Sequence, residues 1–173
     1  MIPSPLQLKG YFFTKASIET SKPLDDSEIS NVSAIDFDFN GVNILTEIRV
    51  AVADNQSDNP RDFLIKFKLT IPNLDGVQCP YTIDVDIVGT FTISNKIEKQ
   101  KRDNIVSVNG TSILYGCVRE MVSSVTSRCL HGLLILPTVN FTDQIQSEVK
   151  VKADNESYKN KTNTVKKKTA KET

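Results

Sequence analysis

The stretch SILYGCVREMVSSVTSRCLHGLLILPTVNF, residues 112–141, decides the fold because two hydrophobic patterns meet in it. Its first half spaces apolar side chains three and four residues apart, as an amphipathic helix does. This stripe consists of Leu114, Cys117, Val118, Met121, Val122 and Val125. Its second half contains LLILPTV, an almost wholly apolar arm that Gly132 and Pro137 bracket. We therefore expect a helix, with Thr111 or Ser112 as its N-cap, followed by an apolar arm.

Upstream of this helix, apolar and polar residues alternate one by one, as they do in strands that bury one face. We expect four long strands, at residues 6–19, within 33–54, at 63–71 and at 81–93. The aromatic residues at positions 11–13 blur the alternation of the first strand, which indicates a β-bulge. Gly41 marks a bend or a turn in the second strand. Long strands joined by short turns predict an antiparallel meander with one polar face.

A second helix is expected to begin near Asp143, with Asn140 or Thr142 as its cap. It carries few apolar residues, and the Lys, Asn and Thr content that follows it predicts disorder. Strands followed by helices predict an α+β fold, here a four-stranded antiparallel β-sheet with two C-terminal helices on one side. A chain of 173 residues has room for one such domain. We expect that domain to span residues 1–150, followed by a disordered Lys-rich tail over residues 151–173.

The charge of the chain is balanced overall but uneven along its length. Residues 150–173 contain eight Lys against three acidic residues, so this part is basic and the rest of the chain is acidic. A basic tail can attract nucleic acid or an acidic membrane through charge alone. Only one aromatic residue, Tyr158, lies among the lysines, which favours a solvated tail. We therefore expect no specific nucleic-acid partner and no membrane insertion.

The chain lacks the residue patterns that catalysis and cofactor binding require. The only His, His131, lies in the apolar arm without a visible catalytic partner, which favours a packing or surface role. Neither a G-x-G-x-x-G motif nor a P-loop occurs. The acidic pairs Asp36/Asp38 and Asp84/Asp86 each share one face of a strand, as solvated residues do. We therefore expect no enzymatic activity, no metal and no cofactor.

Three cysteines, Cys79, Cys117 and Cys129, bear on where the chain is found. They form no Cys-x-x-Cys pair and their odd number does not suit a disulfide framework, so a reducing compartment fits them best. With the single His, they also offer no ligand spacing for zinc. The first residues lack the basic and apolar regions of a signal peptide, and no apolar run is long enough to cross a bilayer. We therefore expect a cytoplasmic location.

The stretch ILYGCVREMVSSVTSR, followed after a short gap by LLILPTVNF, resembles the SecB export chaperones. The matching positions are the Arg119 and Glu120 pair, the Ser127 and Arg128 pair, and Val139, Asn140 and Phe141. LQLKGYFFTKASIE is similar to the first strand of the family, with matching Ser17 and Glu19, and GTFTI resembles the end of its fourth strand. The resemblance covers residues 5–145. The chain departs from the family at Gly116, where a Pro-Tyr-Ala sequence usually begins, and the departure bears on the range of clients.

The resemblance implies an ATP-independent holdase that assembles as a dimer of dimers and binds extended, apolar segments of unfolded polypeptides in surface grooves. The candidate client-binding residues are Leu133, Leu134, Ile135, Leu136 and Phe141. The helix residues expected in the core or in the oligomer interface are Leu114, Val118, Met121, Val122 and Val125. Broad hydrophobic contact combined with main-chain hydrogen bonds suits promiscuous binding and requires no catalytic residue.

The resemblance also bears on the partner of the chain. Glu19 and Asp84 match acidic positions at which export members dock on the SecA motor, whereas Lys15 stands where an acid is expected. The tail is basic where export members tend to be acidic. This favours a divergent member with one dedicated client, of the type encoded beside toxin–antitoxin pairs, over a general export chaperone. An oligomeric adaptor that keeps the fold without binding clients is the competing hypothesis.

Overall fold

The computed structural model of the chain describes residues 2–21, 34, 36–52, 59–74 and 76–142. It contains one antiparallel sheet of four strands, β1 (Leu6–Thr20), β2 (Leu45–Val52), β3 (Asp62–Ile71) and β4 (Tyr81–Ile93). The strands are followed by α1 (Lys99–Ile105), a π-helical turn (Val106–Gly110) and α2 (Thr111–Thr126), which form one continuous helix. The predicted α+β fold with a four-stranded antiparallel sheet is confirmed.

The strand order β1-β4-β3-β2 differs from the predicted meander. Strands β2, β3 and β4 follow one another as antiparallel neighbours, but β1 lies beside β4, as in a Greek key. Strand β4 buries side chains along nearly its whole length, so it needs a long neighbour on each side. Strand β1 has 15 residues against 13 in β4 and meets that need, whereas β2 has only 8.

Strand β2 is shorter than predicted because the described residues that precede it form turns. The Asn40 N–H donates to the Asp38 carboxylate at 2.9 Å, a local bond that favours a turn over a strand. Phe37 and Phe39, which the alternation assigns to the strand, instead contact each other edge to face with ring centroids 5.0 Å apart. Gly41 follows with a φ of +82°, which confirms the predicted turn at this glycine.

One face of the sheet packs against the helix, and we call it the covered face. Its buried side chains are Phe63, Ile65, Phe67, Leu69 and Ile71 on β3 and Tyr81, Ile83, Val85, Ile87, Phe91 and Ile93 on β4. The helix approaches this face closely because two contact points lack side chains. A Cβ atom at Gly89 would lie 2.6 Å from Leu114 Cδ2, and one at Gly110 would overlap Ile65.

The helix begins earlier than predicted, and neither Thr111 nor Ser112 caps it. The Ser112 hydroxyl instead donates to a carbonyl one turn earlier, at 2.8 Å. The additional turns are anchored by Arg102, whose buried guanidinium donates to the Asn59 side chain at 2.7 Å and to the Pro60 carbonyl at 2.9 Å. Because these partners lie just before β3, a tertiary contact rather than a local capping pattern holds the start of the helix in place.

The chain divides into two compact units, Met1–Val139 and Asn140–Thr173. The structure describes only the first three residues of the second unit. There the Thr142 N–H donates to the Asn140 side chain at 3.0 Å, the contact expected of an N-cap. The predicted helix from Asp143 onward and the predicted Lys-rich tail lie outside the described residues.

Candidate functional surface

The apolar arm, residues 133–139, lies along α2 and is held there through its main chain. Three side chains of α2 bond to it, namely Arg119 to the Leu136 carbonyl (2.9 Å), Tyr115 to the Pro137 carbonyl, and Thr126 to the Leu134 N–H (2.9 Å). These polar residues satisfy main-chain groups that an irregular segment would otherwise bury without partners. The arm is therefore a fixed part of the fold in the first unit.

Successive side chains of the arm alternate between the core and the surface. Leu134 and Leu136 are 0% and 1% exposed, whereas Ile135 is 48% exposed and Leu133 is half-buried. Phe141, in the second unit, is also buried. Of the five residues predicted to bind clients, Leu133 and Ile135 therefore offer accessible surface in the described chain.

The helix residues predicted for the core or an interface separate into two groups. Leu114, Val118 and Val122 are fully buried and belong to the core. Met121 is half-buried and Val125 is exposed, so both add apolar area to the surface of α2.

Two consecutive aromatic residues of β1, Tyr11 and Phe12, are 46% and 57% exposed. They point to opposite faces of the sheet, with Tyr11 paired to Gly89 and Phe12 paired to Val88 on β4. The register of the β1–β4 pair shifts on both sides of them, which confirms the predicted bulge. Two consecutive aromatic residues in one strand cannot both face the same core, so this pair was the signal in the sequence for exposed aromatic surface.

The other outer strand, β2, also exposes large apolar side chains, those of Leu45, Val50 and Val52. In the part of the chain that the structure describes, β1 pairs only with β4 and β2 only with β3. Each outer strand therefore presents one edge of main-chain N–H and C=O groups without a neighbouring strand. An edge of this kind beside apolar side chains can accept an additional strand.

The sheet face away from the helix, which we call the open face, carries a network of charges. Lys15 contacts Asp84, and Lys68 Nζ lies 3.8 Å from Asp84 Oδ1. The hydrogen bond from Lys15 lowers the pKa of Asp84, and the same bond raises the pKa of Lys15. Of the two acids predicted to dock a partner, Asp84 is thus compensated by two lysines, and Glu19 accepts a hydrogen bond from the Ser17 hydroxyl at 2.8 Å.

The side chains considered for chemistry in the sequence have structural contacts. His131 contacts the Tyr81 ring edge to face at 5.6 Å between centroids, and the Tyr81 hydroxyl donates to the Gly132 carbonyl at 2.8 Å. Burial raises the pKa of Tyr115 to about 12 and also raises the pKa of Cys79, so both stay protonated at neutral pH. Among the described residues there is no group of three or more potential metal ligands.

No helix in the described part of the chain combines the length and the apolar composition that crossing a membrane requires.

Comparison with known proteins identifies the family of the chain. An uncharacterized protein of Methanocaldococcus jannaschii is 28% identical over 116 residues, which cover 66% of this chain and 70% of that protein. A SecB-like chaperone of Mycobacterium tuberculosis, solved in complex with a peptide from an antitoxin, has a TM-score of 0.48 and 16% identity and covers 78% of this chain and 91% of that one. A Streptococcus agalactiae protein of unknown function has a TM-score of 0.44 and 12% identity and covers 77% of this chain and 97% of that one. The family model of SecB, the preprotein translocase subunit, matches residues 41–152, more than half of the chain, which therefore belongs to the SecB family.

Proposed function

We propose that the chain is an ATP-independent chaperone, a holdase that binds unfolded or precursor polypeptides and keeps them soluble. The observation that carries the proposal is that both outer strands expose large apolar side chains beside a main-chain edge. An unfolded polypeptide can add to such an edge through its own main chain while its apolar side chains contact those of the strand. Main-chain bonding requires little sequence preference, which suits a protein that accepts many segments of a client.

The proposed client-binding surface combines the two edges with the accessible part of the arm. It consists of Tyr11, Phe12, Val50, Val52, Leu133 and Ile135. In this proposal Leu134 and Leu136 support the surface from inside and reach a client only if the arm moves, and Phe141, which is buried, is not part of the accessible surface. Each contact is weak, but several segments of one long client add up through effective concentration.

We also propose a homo-oligomer, a dimer of dimers, which is the assembly that the family resemblance implies. The edge of β1 and the apolar side chains of Met121 and Val125 supply surface that assembly would cover. If β1 is covered in this way, the edge of β2 and Ile135 are left for clients. The two edges can be tested separately.

A single dedicated client, such as an antitoxin, is favoured over general export with the SecA motor. Asp84 is already paired with Lys15 and Lys68, so the acidic docking surface that SecA would require is weakened. We place this activity in the cytoplasm, where the three cysteines, free in the described structure, would stay reduced.

The proposal is tested by mixing the chain with an unfolded test protein at a stoichiometric ratio, without ATP, and following aggregation by light scattering. We expect the wild type to suppress aggregation. The double variant Val50→Thr/Val52→Thr keeps β-branched residues in β2 but removes apolar contact, so it should suppress less. Leu74→Thr is the control, because Leu74 is 80% exposed in the turn between β3 and β4 and lies on neither edge.

The mass of the chain, with and without the unfolded protein, distinguishes a holdase from an adaptor. A discrete complex of larger mass is expected for a holdase. A stable oligomer that ignores the unfolded protein would contradict the proposal and favour an adaptor. Full suppression by Val50→Thr/Val52→Thr would retain the holdase but exclude the edge of β2 as its binding surface.

A further inference from the structure

The open face of the sheet contains a surface that adjoins the proposed client-binding edge of β2, since Val52 lines part of it. Two adjoining depressions of about 450 and 470 Å³ lie on it. The lining of the first includes Ala51, Leu64 and Thr90, together with Lys9. The second includes Lys66, two residues beyond Leu64 on the same face of β3. A mainly apolar lining thus continues into a charged cleft.

The cleft contains two cations placed side by side. Arg49 on β2 lies directly opposite Lys66 on β3. Like charges in this position destabilise a sheet, and the next pair on the same face, Glu47 opposite Lys68, has the favourable opposite signs. Arg49 also contacts Glu47 at 3.6 Å, but both side chains are mostly exposed, so the pair compensates its charge only weakly.

The charged residues that line the two depressions are four cations, Lys9, Arg49, Lys66 and Lys68, and three acids, Glu47, Asp62 and Asp86. Neither Lys9 nor Lys66 makes an ion pair among the residues that the structure describes. Asp62, an acid of the first depression, accepts a hydrogen bond from Thr92 at 2.6 Å. Asp86, an acid of the second, lies opposite a lysine on each neighbouring strand. Asp86 Oδ1 is buried without a hydrogen-bond partner among the described residues, so the attraction for an anion comes from the excess of one cation and from Lys9 and Lys66, which are unpaired.

We propose that this surface docks an extended segment of a partner polypeptide that carries an apolar and an acidic residue two positions apart. In an extended segment, such residues point to the same side with the spacing that separates Leu64 from Lys66 along β3. The apolar side chain lies over Leu64 and Ala51, and the carboxylate lies between Lys66 and Arg49. This docking surface borders the client-binding edge of β2 at Val52, and it favours an acidic partner segment over a basic one.

The proposal is tested with a labelled peptide of Leu-Ser-Asp-Ser repeats, with Leu-Ser-Lys-Ser repeats as the matched probe, by fluorescence anisotropy on the full chain. The Asp peptide should bind and weaken as salt is added, and the Lys peptide should not bind. Lys66→Gln should weaken binding of the Asp peptide by about twofold to fivefold, the range for an exposed charge pair. Lys101→Gln, which removes one charge from the helix instead, should leave binding unchanged.

Lys66→Glu separates binding from folding. It replaces the like-charge pair with an opposite-charge pair, so the melting temperature should rise while binding of the Asp peptide is lost. Equal binding by Lys66→Gln and Lys101→Gln, or equal binding of the two peptides, would overturn the proposal. Since these readouts need no chaperone activity, they stand or fall independently of the holdase proposal.

Discussion

The covered and open faces of the sheet come from one alternating pattern and differ in what stabilises them. On the covered face, β3 and β4 place an apolar side chain at nearly every second position, and these side chains are buried. On the open face, charges of opposite sign lie across neighbouring strands, as Lys15 does opposite Asp86 and Glu47 opposite Lys68. The same two-residue period therefore specifies a core on one side of the sheet and an ionic surface on the other, and mutations on the two faces should differ in their effect on stability.

The largest difference is expected between a phenylalanine on each face. Phe91 is 1% exposed on the covered face, so Phe91→Ala should lower the free energy of unfolding by about 3–5 kcal/mol. Phe12 is 57% exposed on the open face, and Phe12→Ala should lower it by less than about 1 kcal/mol. Urea unfolding at one fixed protein concentration measures both. Equal losses would show that Phe12 is buried in the assembled protein.

Two buried threonines test whether the arm is anchored to the covered side by its main chain. Thr126→Val removes the hydroxyl that accepts the Leu134 N–H, which should cost about 1–3 kcal/mol because that N–H stays buried. Thr111→Val is the control, since its buried hydroxyl has no hydrogen-bond partner among the described residues. It should be neutral or slightly stabilising. A loss for Thr111→Val as large as that for Thr126→Val would contradict the assignment of the anchor.

Two helical glycines probe the inner and outer sides of the helix that covers the sheet. Gly110→Ala places a methyl group against Ile65, and the crowding should exceed the gain in helix propensity, with a net loss of about 1 kcal/mol. Nothing lies within 4 Å of a Cβ atom at Gly116, so Gly116→Ala should gain about 0.5–1 kcal/mol. Thermal unfolding distinguishes the two signs. Stabilisation by both variants would mean that the helix lies further from the sheet.

The smallest effect is the pH dependence that the open face contributes. The folded-state pKa of Asp84 lies below its ordinary value of 3.8, so its stabilising contribution is present above that pH and is lost as the pH falls through the lowered pKa. The pKa of Lys15 lies above its ordinary value of 10.5, so its contribution is lost as the pH rises beyond that range. Asp84→Asn should therefore unfold at nearly the same temperature as the wild type in strong acid and at a lower temperature at neutral pH. An equal deficit at all pH values would exclude the charge as its cause.

Strands β1, β3 and β4 were predictable to within a residue or so at each end because each buries alternate side chains beside a long partner. The alternation around Phe37 and Phe39 was just as regular, yet it belongs to turns. There the Asp38 carboxylate bonds to the local main chain, which a count of apolar positions does not register. A half-buried strand thus requires alternating apolar and polar residues, but it also requires a neighbouring strand, which the alternation does not specify.

The position of the apolar arm was predictable, but which of its side chains reach the surface was not. The apolar arm was identified, but whether Leu134 or Ile135 faces the core depends on the hydrogen bonds that α2 makes to the arm. Those bonds come from Arg119 and Thr126, which the apolar stripe of the helix does not include. Tyr11 and Phe12 became candidates only when β1 proved to be an outer strand.

The spacing of residues close together in the chain was enough to predict the four strands, the amphipathic helix, the apolar arm and the lack of a recognisable catalytic pattern. Three features became apparent only in the folded chain, namely that β1 lies beside β4, that the helix extends back to Lys99, and which side of the arm is accessible. These depend on pairing between distant strands and on contacts such as that of Arg102 with Pro60, which connect residues far apart in the chain. Such contacts form only once the chain has folded, so the pattern of residues within a short stretch of sequence does not reveal them.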